Sequence, residues 1–163
     1  MKLNFIEKNH VVHCCTSAII AANEDMFSGG WAGDVISLAH AESAVFLIAT
    51  NANGSGGQAS VYVNACDDAT PTTTAKISFY YKEITAGDTQ GTTTESKEFA
   101  TSTGANVAYA IEVPAAKVAE YNSAYKYVQL QVTEKTNQAV DGNVIGFLSG
   151  LRYASDAEGT QLT

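Results

Sequence analysis

Apolar residues in this chain recur at every second position, the spacing that places alternate side chains on one face of a β-strand. In residues 107–113, Val107, Tyr109, Ile111 and Val113 alternate with two alanines and a glutamate. A helix would need apolar residues every three to four positions, so this pattern predicts a strand. The same spacing, with many β-branched and aromatic residues, predicts further strands at residues 34–38, 44–50, 61–63, 77–81, 128–132 and 144–151.

Turn-forming residues separate these segments at short intervals. Glycine, asparagine, aspartate and proline are concentrated in residues 51–57, 67–71, 87–91 and 141–143. One segment departs from the pattern, because Pro114 at a first helical position is followed by alanines. Together these features predict an all-β fold, a single antiparallel β-sandwich of jelly-roll or Greek-key type with one short helix near 114–121.

The domain organisation follows from length and composition. A chain of 163 residues is long enough for one domain with a substantial core, and its composition does not change along the sequence in a way that marks a second domain. We therefore predict that residues 31–155 form the sandwich, that residues 1–30 form an N-terminal arm or first strand, and that residues 156–163 form a flexible tail.

Charge argues against two classes of partner. Seventeen acidic and nine basic residues give a formal net charge of −8, and no run of basic residues could follow a phosphate backbone. We therefore expect no direct binding to nucleic acid and no attraction to anionic membranes. Only 16% of the residues are charged, compared with roughly 25% in an ordinary soluble domain. A polar surface with few charges costs little to desolvate, which favours a component of an assembly.

Potential metal ligands are densest near the N-terminus. Four of them stand close together in the sequence: His10, His13, Cys14 and Cys15. Their spacing matches no standard zinc site, and only His40 and Cys66 remain to complete one. Three cysteines, two of them adjacent, suggest no disulfide framework, so we expect thiols made in a reducing cytoplasm. We predict ordinary strand packing here, with a metal or thiol enzyme as the competing hypothesis.

Candidate catalytic groups are few. The paired carboxylates Asp67 and Asp68 are candidate calcium ligands, but they follow no known calcium-loop spacing, and aspartates commonly cap turns. Cys66 with His40 is the candidate nucleophile and base, and core packing of the thiol is the competing interpretation. The sequence has neither a Gly-x-Ser-x-Gly elbow nor a phosphate-binding glycine loop. We predict no enzymatic activity and no cofactor.

The segment from Phe27 to Trp31 contains the single tryptophan of the chain, set beside two glycines. A tryptophan in a glycine-rich segment is typical of an anchor for a protein or sugar contact. The competing interpretation is that Trp31 plugs one end of the sandwich core.

Several stretches together resemble the small virion structural proteins of tailed bacteriophages, in particular capsid decoration or cement proteins. The likeness covers roughly residues 30–155 and is carried by residues 65–74, 77–81, 125–130 and 142–154. It implies a β-sandwich that binds the outside of an assembled head, as a homo-oligomer for which a trimer is possible. It supplies no catalytic residues.

We therefore expect a virion structural protein on the outer capsid surface, made in the bacterial host cytoplasm, that binds the major capsid protein. The expected contact residues lie in the N-terminal arm and in two polar loops: Phe27, Trp31, Asn51, Asn53, Asp67, Asp68 and Thr72. The alternative is a carbohydrate-binding or adhesin-type sandwich that uses Trp31 and the tyrosines as stacking platforms.

Overall fold

The computed structural model describes residues 4–14, 25–51, 56–85, 87–103 and 106–151. Within these ranges the chain forms twelve strands and two short helices, α1 (Phe5–Lys8) and α2 (Ala115–Tyr121). The strands are β1 (His10–Val12), β2 (Trp31–Ser37), β3 (Ser43–Thr50), β4 (Gln58–Cys66), β5 (Thr74–Ile77), β6 (Phe79–Thr85), β7 (Thr89–Gln90), β8 (Thr94–Ser96), β9 (Glu98–Ala100), β10 (Val107–Pro114), β11 (Tyr127–Thr136) and β12 (Gly142–Ser149).

The strands form two antiparallel sheets around a shared core. Sheet A has the order β1-β12-β3-β10-β6-β7, with β8 also pairing with β6. Sheet B has the order β2-β11-β4-β5, with β9 also pairing with β4. β5 and β9 pair with successive stretches of β4, residues 63–66 and 60–62. The predicted all-β sandwich is therefore confirmed.

The strand order is that of a jelly roll. When β6, β7, β8 and β9 are set aside, eight strands remain. Numbered one to eight along the chain, these follow the order 1-8-3-6 in sheet A and 2-7-4-5 in sheet B. Apart from β4 and β5, neighbouring strands among these eight come from distant parts of the sequence, as in a jelly roll. β6, β7 and β8 widen sheet A beyond β10.

Alternation along each strand supplies the core. In β10 the side chains of Tyr109, Ile111 and Val113 are buried, while the residues between them are partly or fully exposed, as the sequence predicts. β11 follows the same pattern with Val128 and Leu130. At the β6 and β9 side of the core, four aromatic rings are in contact: Phe79, Tyr81, Phe99 and Tyr109.

The predicted strand at residues 77–81 is divided between the two sheets. β5 ends at Ile77 in sheet B and β6 begins at Phe79 in sheet A, so the chain crosses the sandwich at Ser78. Both flanking side chains are buried in the shared core. Alternation continues through such a crossing because both segments are extended, and periodicity therefore gave no sign of it.

The predicted helix near 114–121 is present as α2. Pro114 is its N-cap, with φ −62° and ψ 140°, rather than the first helical residue. Val118 is buried, and the Lys117 ammonium forms ion pairs with Glu95 at 2.8 Å and Glu120 at 3.2 Å. The first of these pairs ties α2 to β8 in sheet A.

The N-terminal segment contributes to the sandwich itself. β1 pairs with β12 at the edge of sheet A, so part of the predicted arm is a first strand. The backbone carbonyl of Cys14 accepts a hydrogen bond from the amide of Asp34 at 3.4 Å, which brings the segment to β2 of sheet B. α1 was not predicted. The predicted tail at residues 156–163 lies outside the described residues.

Candidate functional site

Among the residues that the structure describes, most of the exposed large apolar side chains belong to one side of the molecule. Six such residues are between 39% and 75% exposed: Phe5, Ile6, Val11, Leu47, Tyr121 and Ile145. Val11, Leu47 and Ile145 belong to strands of sheet A, and Phe5 and Ile6 belong to α1, which adjoins β1. Such clustering on one face is characteristic of an interaction surface.

The strand register explains why these residues share a face. Leu47 of β3 lies directly opposite Ile145 of β12, and Val45 lies opposite Phe147. Phe147 in turn lies opposite Val11 of β1. The intervening residues of β3 and β12, including Phe46 and Ile48, are buried in the core. These five residues, Val11, Val45, Leu47, Ile145 and Phe147, are called the apolar face below.

α1 packs against the apolar face near β1 and β12. The ring of Phe5 contacts the ring of Phe147 edge to face, with centroids 5.8 Å apart and an interplanar angle of 75°. An Asn4–Glu7 capping box begins this helix, in which the Glu7 carboxylate accepts a hydrogen bond from the backbone N–H of Asn4 at 2.5 Å. A short ordered helix thus adds its own apolar side chains to the apolar face at Phe147.

A depression borders the apolar face on the β10 side. Ala108 and Ala110 are outward residues of β10, and the small side chain of Ala110 lies between Leu47 of β3 and Lys82 of β6. A pocket of about 220 Å³ opens here, with Val45, Tyr80, Lys82, Ala110 and Glu112 among its lining residues. The outer surface of sheet A therefore has a ridge along β12 and β3 and a trough along β10.

Two charged side chains flank this trough. In β3, β6, β10 and β12, the register places Lys82 and Glu112 as the charged residues on the outer side of sheet A. They stand diagonally on neighbouring strands, since Lys82 pairs with Ala110 and Glu112 pairs with Tyr80. The outer surface of sheet A along these four strands thus combines low charge with one residue of each sign.

The outer side of sheet B is polar instead. The Gln129 amide group donates to the carbonyl oxygen of Gly33 at 2.8 Å and accepts from Gln131 at 2.7 Å. The Lys76 ammonium pairs with the Glu98 carboxylate at 2.6 Å and lies 4.0 Å from the centroid of the Tyr62 ring. Exposed pairs of this kind contribute up to about 1 kcal/mol to stability. The two outer sides of the sandwich therefore present contrasting surfaces.

The two predicted aromatic contact residues are held by the sandwich. Phe27 is 1% exposed and belongs to the core, so it has almost no surface to offer a partner. Trp31 is half-buried against the same core, and its indole N–H donates to the carbonyl oxygen of Met26 at 2.7 Å. This arrangement corresponds to the competing interpretation, in which Trp31 plugs one end of the core.

The remaining predicted contact residues lie at opposite ends of the sandwich. Asn51 follows β3, and its backbone N–H donates to the backbone carbonyl oxygen of Asp141, at the end where β4 begins. Asp67 follows the other end of β4. The nine residues of this strand span about 26 Å, since each of the eight steps between them rises roughly 3.3 Å. Asn53 lies outside the described residues. The structure therefore brings Asp67, Asp68 and Thr72 together and separates them from Asn51.

Asp67 organises the loop between β4 and β5. Its carboxylate accepts hydrogen bonds from the Thr72 hydroxyl at 2.7 Å and from the backbone amides of Thr72 and Thr73, both at 3.1 Å. These bonds, that of the Thr72 hydroxyl first, hold the pKa of Asp67 below its ordinary value. Asp68 accepts from the amide of Ala69 at 2.5 Å. The carboxylates are thus used within the loop, as the turn-capping interpretation predicts.

The candidate thiol and metal groups do not form a site in the described residues. Within them, no three histidine, cysteine or acidic side chains are close enough to share a metal ion. Cys14 and Cys66 are both fully buried, whereas His13 is exposed, and Cys15 lies outside the described residues. Burial, and next the charge of Asp67, raises the pKa of Cys66 to about 11. Such a thiol is protonated at neutral pH and is a poor nucleophile.

The apolar face was not predicted, although the sequence carries a signal for it. Residues 44–49 and 144–148 consist of apolar residues and one glycine, without the polar alternation of β10 or β11. Continuous apolar runs of this length are typical of strands covered on both sides. Counting polar residues at the outward positions would have identified β3 and β12.

The described part of the chain has no helix long and apolar enough to cross a membrane.

The chain gives no match in three comparisons with known proteins, which cover protein-family models, curated proteins and solved structures.

Proposed function

We propose that this protein is a bacteriophage virion structural protein, a capsid decoration or cement protein that binds the major capsid protein lattice and stabilises the head. Its work is done by surfaces and not by chemistry at a catalytic centre. The proposal rests on the sequence resemblance described above and on the nature of the outer surfaces of the sandwich.

The observation that carries the proposal is the apolar face. Leu47 and Ile145 project from neighbouring strands in the middle of a sheet whose inner side is fully packed, so they cannot turn inward. An ordered, solvent-exposed apolar surface of this kind supports a role in protein assembly. It favours an assembly component over a binder of sugars, which uses polar groups to recognise hydroxyls.

A second feature supports attachment to a repeating lattice. The loop at residues 67–73 projects from one end of the sandwich, and the Asp67 hydrogen bonds fix its shape before any partner arrives. A preformed loop loses less conformational entropy on binding than a mobile one. Repetition of even a weak contact of this sort across a symmetric lattice produces high avidity. We assign the lattice contact to this loop, with Asp68 and Thr72 at its exposed surface.

Co-sedimentation of the purified protein with undecorated capsids of its source phage tests the proposal. The expected result is saturable binding at a fixed ratio to capsid subunits. Asp68→Asn and Thr72→Ala should weaken this binding. The matched control is Asp88→Asn, which removes the same charge in the turn between β6 and β7 at the opposite end of the sandwich. Absence of binding to intact heads would overturn the proposal.

A glycan screen addresses the carbohydrate-binding alternative. That alternative depends on Trp31 as a stacking platform, and the Trp31 ring is already packed against the core. Binding of a defined oligosaccharide that is abolished by Trp31→Ala, together with no binding to capsids, would support the alternative over the cement function.

A further inference from the structure

We propose that the apolar face, with the trough beside it, pairs with the same surface of a second copy of this chain. The occupant is thus another copy of the protein, and the contact forms before any capsid is met. This inference goes beyond the proposed function, because it assigns a self-association surface that is distinct from the lattice-binding loop.

The composition of the central strands is the first argument. β3 and β12 carry apolar residues on both sides, whereas the outward positions of β11 carry Tyr127, Gln129, Gln131 and Thr133. Strands that are apolar on both sides belong in the interior of a protein or assembly. Interfaces between copies of one chain are more apolar than transient interfaces, because they need never be exposed. A second copy is the partner that is always available to the newly folded chain.

Charge complementarity is the second argument. Two copies of a chain with a net charge of −8 repel each other over most of their surfaces. The outer side of β3, β6, β10 and β12 carries one lysine and one glutamate, Lys82 and Glu112, and so has no net charge. Their diagonal placement on adjacent strands allows the long side chains to pair with each other when the face is covered. Along these four strands two copies can therefore meet without a net electrostatic cost.

The shape complementarity of the surface is the third argument. A two-fold axis parallel to the strands and between β3 and β10 would place β3 of one copy over β10 of the other. Because Leu47 and Ala110 are directly paired across these strands, Leu47 of each copy would then project into the Ala110 trough of the other. Phe147 would face Tyr80 across the same axis, because strand pairing places both residues level with Val45 and Glu112. Ridge and trough are thus complementary at Leu47 and Ala110 under a two-fold rotation, while Ile145 would cover Lys82 and Val45 would cover Glu112.

The size of the surface is sufficient for a specific contact. Eight residues of β3 at about 3.4 Å each, and four strands at about 4.8 Å, give on the order of 500 Å² per copy. Two copies would therefore bury on the order of 1,000 Å², the lower bound of a specific interface. Phe5 and Ile6 of α1, which contacts the apolar face at Phe147, are further exposed apolar side chains.

The first experiment measures the mass of the full chain in solution by light scattering and sedimentation velocity over a range of concentrations. The expected result is twice the mass of the chain for the wild type. Leu47→Glu should give the mass of one chain. Its matched control is Thr133→Glu, which adds the same charge on the outer side of sheet B and should leave the pair intact. Circular dichroism spectra and melting curves establish that each variant is folded.

A second variant separates specific pairing from general stickiness. Ala110→Phe makes the surface more apolar but fills the trough, so specific pairing predicts weaker association. The symmetric pair contains two Leu47–Ala110 contacts. If the substitution weakens the affinity about tenfold at each of them, the dissociation constant of the pair rises about 100-fold. Unchanged or stronger association of this variant would overturn the ridge-and-trough pairing. A wild type with the mass of one chain or of three chains would overturn the two-fold pairing.

Capsid binding is read separately. If the wild type pairs but does not bind capsids, the cement function is refuted and the self-association surface stands. If the wild type binds capsids but has the mass of one chain, the self-association surface is refuted and the cement function stands.

Discussion

Asp67 and Thr72 are joined by two hydrogen bonds, one from the Thr72 amide to Oδ1 at 3.1 Å and one from the Thr72 hydroxyl to Oδ2 at 2.7 Å. The loop between β4 and β5 therefore closes on a side chain that immediately follows β4. A carboxylate that accepts several donors of its own loop is more effective at ordering it than as a ligand for an external ion. Three hydrogen bonds of this loop thus end on one side chain.

Removal of that carboxylate should loosen the loop without affecting the sandwich. In Asp67→Ala, the amides of Thr72 and Thr73 lose their acceptor, so their hydrogen exchange should become faster, while amides of β4 and β11 keep their protection. Hydrogen exchange followed by mass spectrometry measures both regions. Asp68→Ala is the control, because the Asp68 side chain accepts from Ala69 instead. Equal exchange in the wild type and Asp67→Ala would contradict this role.

The same loop should respond to acid. Its hydrogen bonds hold the pKa of Asp67 below the ordinary value of 3.8, so the stabilisation from ionised Asp67 is present above about pH 4. It should be lost as the pH falls from about 4 through the lower pKa of the folded state, because the protonated carboxyl is a weaker acceptor. Exchange of the Thr72 and Thr73 amides, corrected for intrinsic rates, measures this. Asp67→Asn should remove the dependence.

Tyr109 should stabilise the core through its hydroxyl. The Tyr109 hydroxyl accepts a hydrogen bond from the Ser102 amide at 2.6 Å, and the side chain is buried. Tyr109→Phe should lower the free energy of unfolding by about 1–2 kcal/mol, because the bond is lost while the ring remains. Denaturant unfolding measures the change. Tyr127→Phe, on the half-exposed outer side of sheet B, should change it by less than about 0.5 kcal/mol.

Alkaline pH tests the same residue. Burial raises the pKa of Tyr109 to about 12, above its ordinary value of 10.0. Because the folded state disfavours the phenolate, this residue's contribution to stability is complete below about pH 10 and is lost as the pH rises toward 12. The wild type should therefore lose more stability than Tyr109→Phe over this interval. Parallel pH profiles of the two proteins would contradict the assignment.

The sequence was sufficient to predict the sandwich because alternation records which side of a strand is buried. Residues 107–113 and 128–132 were predicted as strands and lie in β10 and β11, and the helix near 114–121 is α2. Strand order was not predictable, since β12 pairs with both β1 and β3, and such pairing depends on contacts between distant parts of the chain.

The functional surfaces were less predictable than the fold. The sequence indicated Phe27 and Trp31 because of their type, but whether an aromatic ring faces the core or the solvent is decided by tertiary packing. Asp67, Asp68 and Thr72 do share one loop, since they are close in sequence. The apolar face joins β1, β3 and β12, which are brought together only by the jelly-roll topology.

Cys66 should be unreactive in the folded protein. Burial and the neighbouring charge of Asp67 raise the pKa of its thiol to about 11, so the thiolate is a very small fraction at pH 7.5. Brief treatment with iodoacetamide should leave Cys66 unmodified in native protein and alkylate it after unfolding in guanidinium chloride. Peptide mass spectrometry locates the modification. Rapid native alkylation of Cys66 would contradict this prediction and revive the thiol-enzyme hypothesis.

Gly30 and Gly29 form a matched pair for the close approach of the chain to β11. Both have positive φ, 68° and 67°, a conformation that costs an alanine about 1 kcal/mol. A Cβ on Gly30 would also lie 2.9 Å from the carbonyl oxygen of Val132, whereas a Cβ on Gly29 would meet no atom within 4 Å. Because the obstacle is backbone in the middle of a strand, it cannot move aside cheaply. Gly29→Ala should therefore lower the free energy of unfolding by about 1 kcal/mol and Gly30→Ala by about 3 kcal/mol, measured by denaturant unfolding. Equal losses in the two variants would show that the turn at Gly30 moves away from β11 without cost.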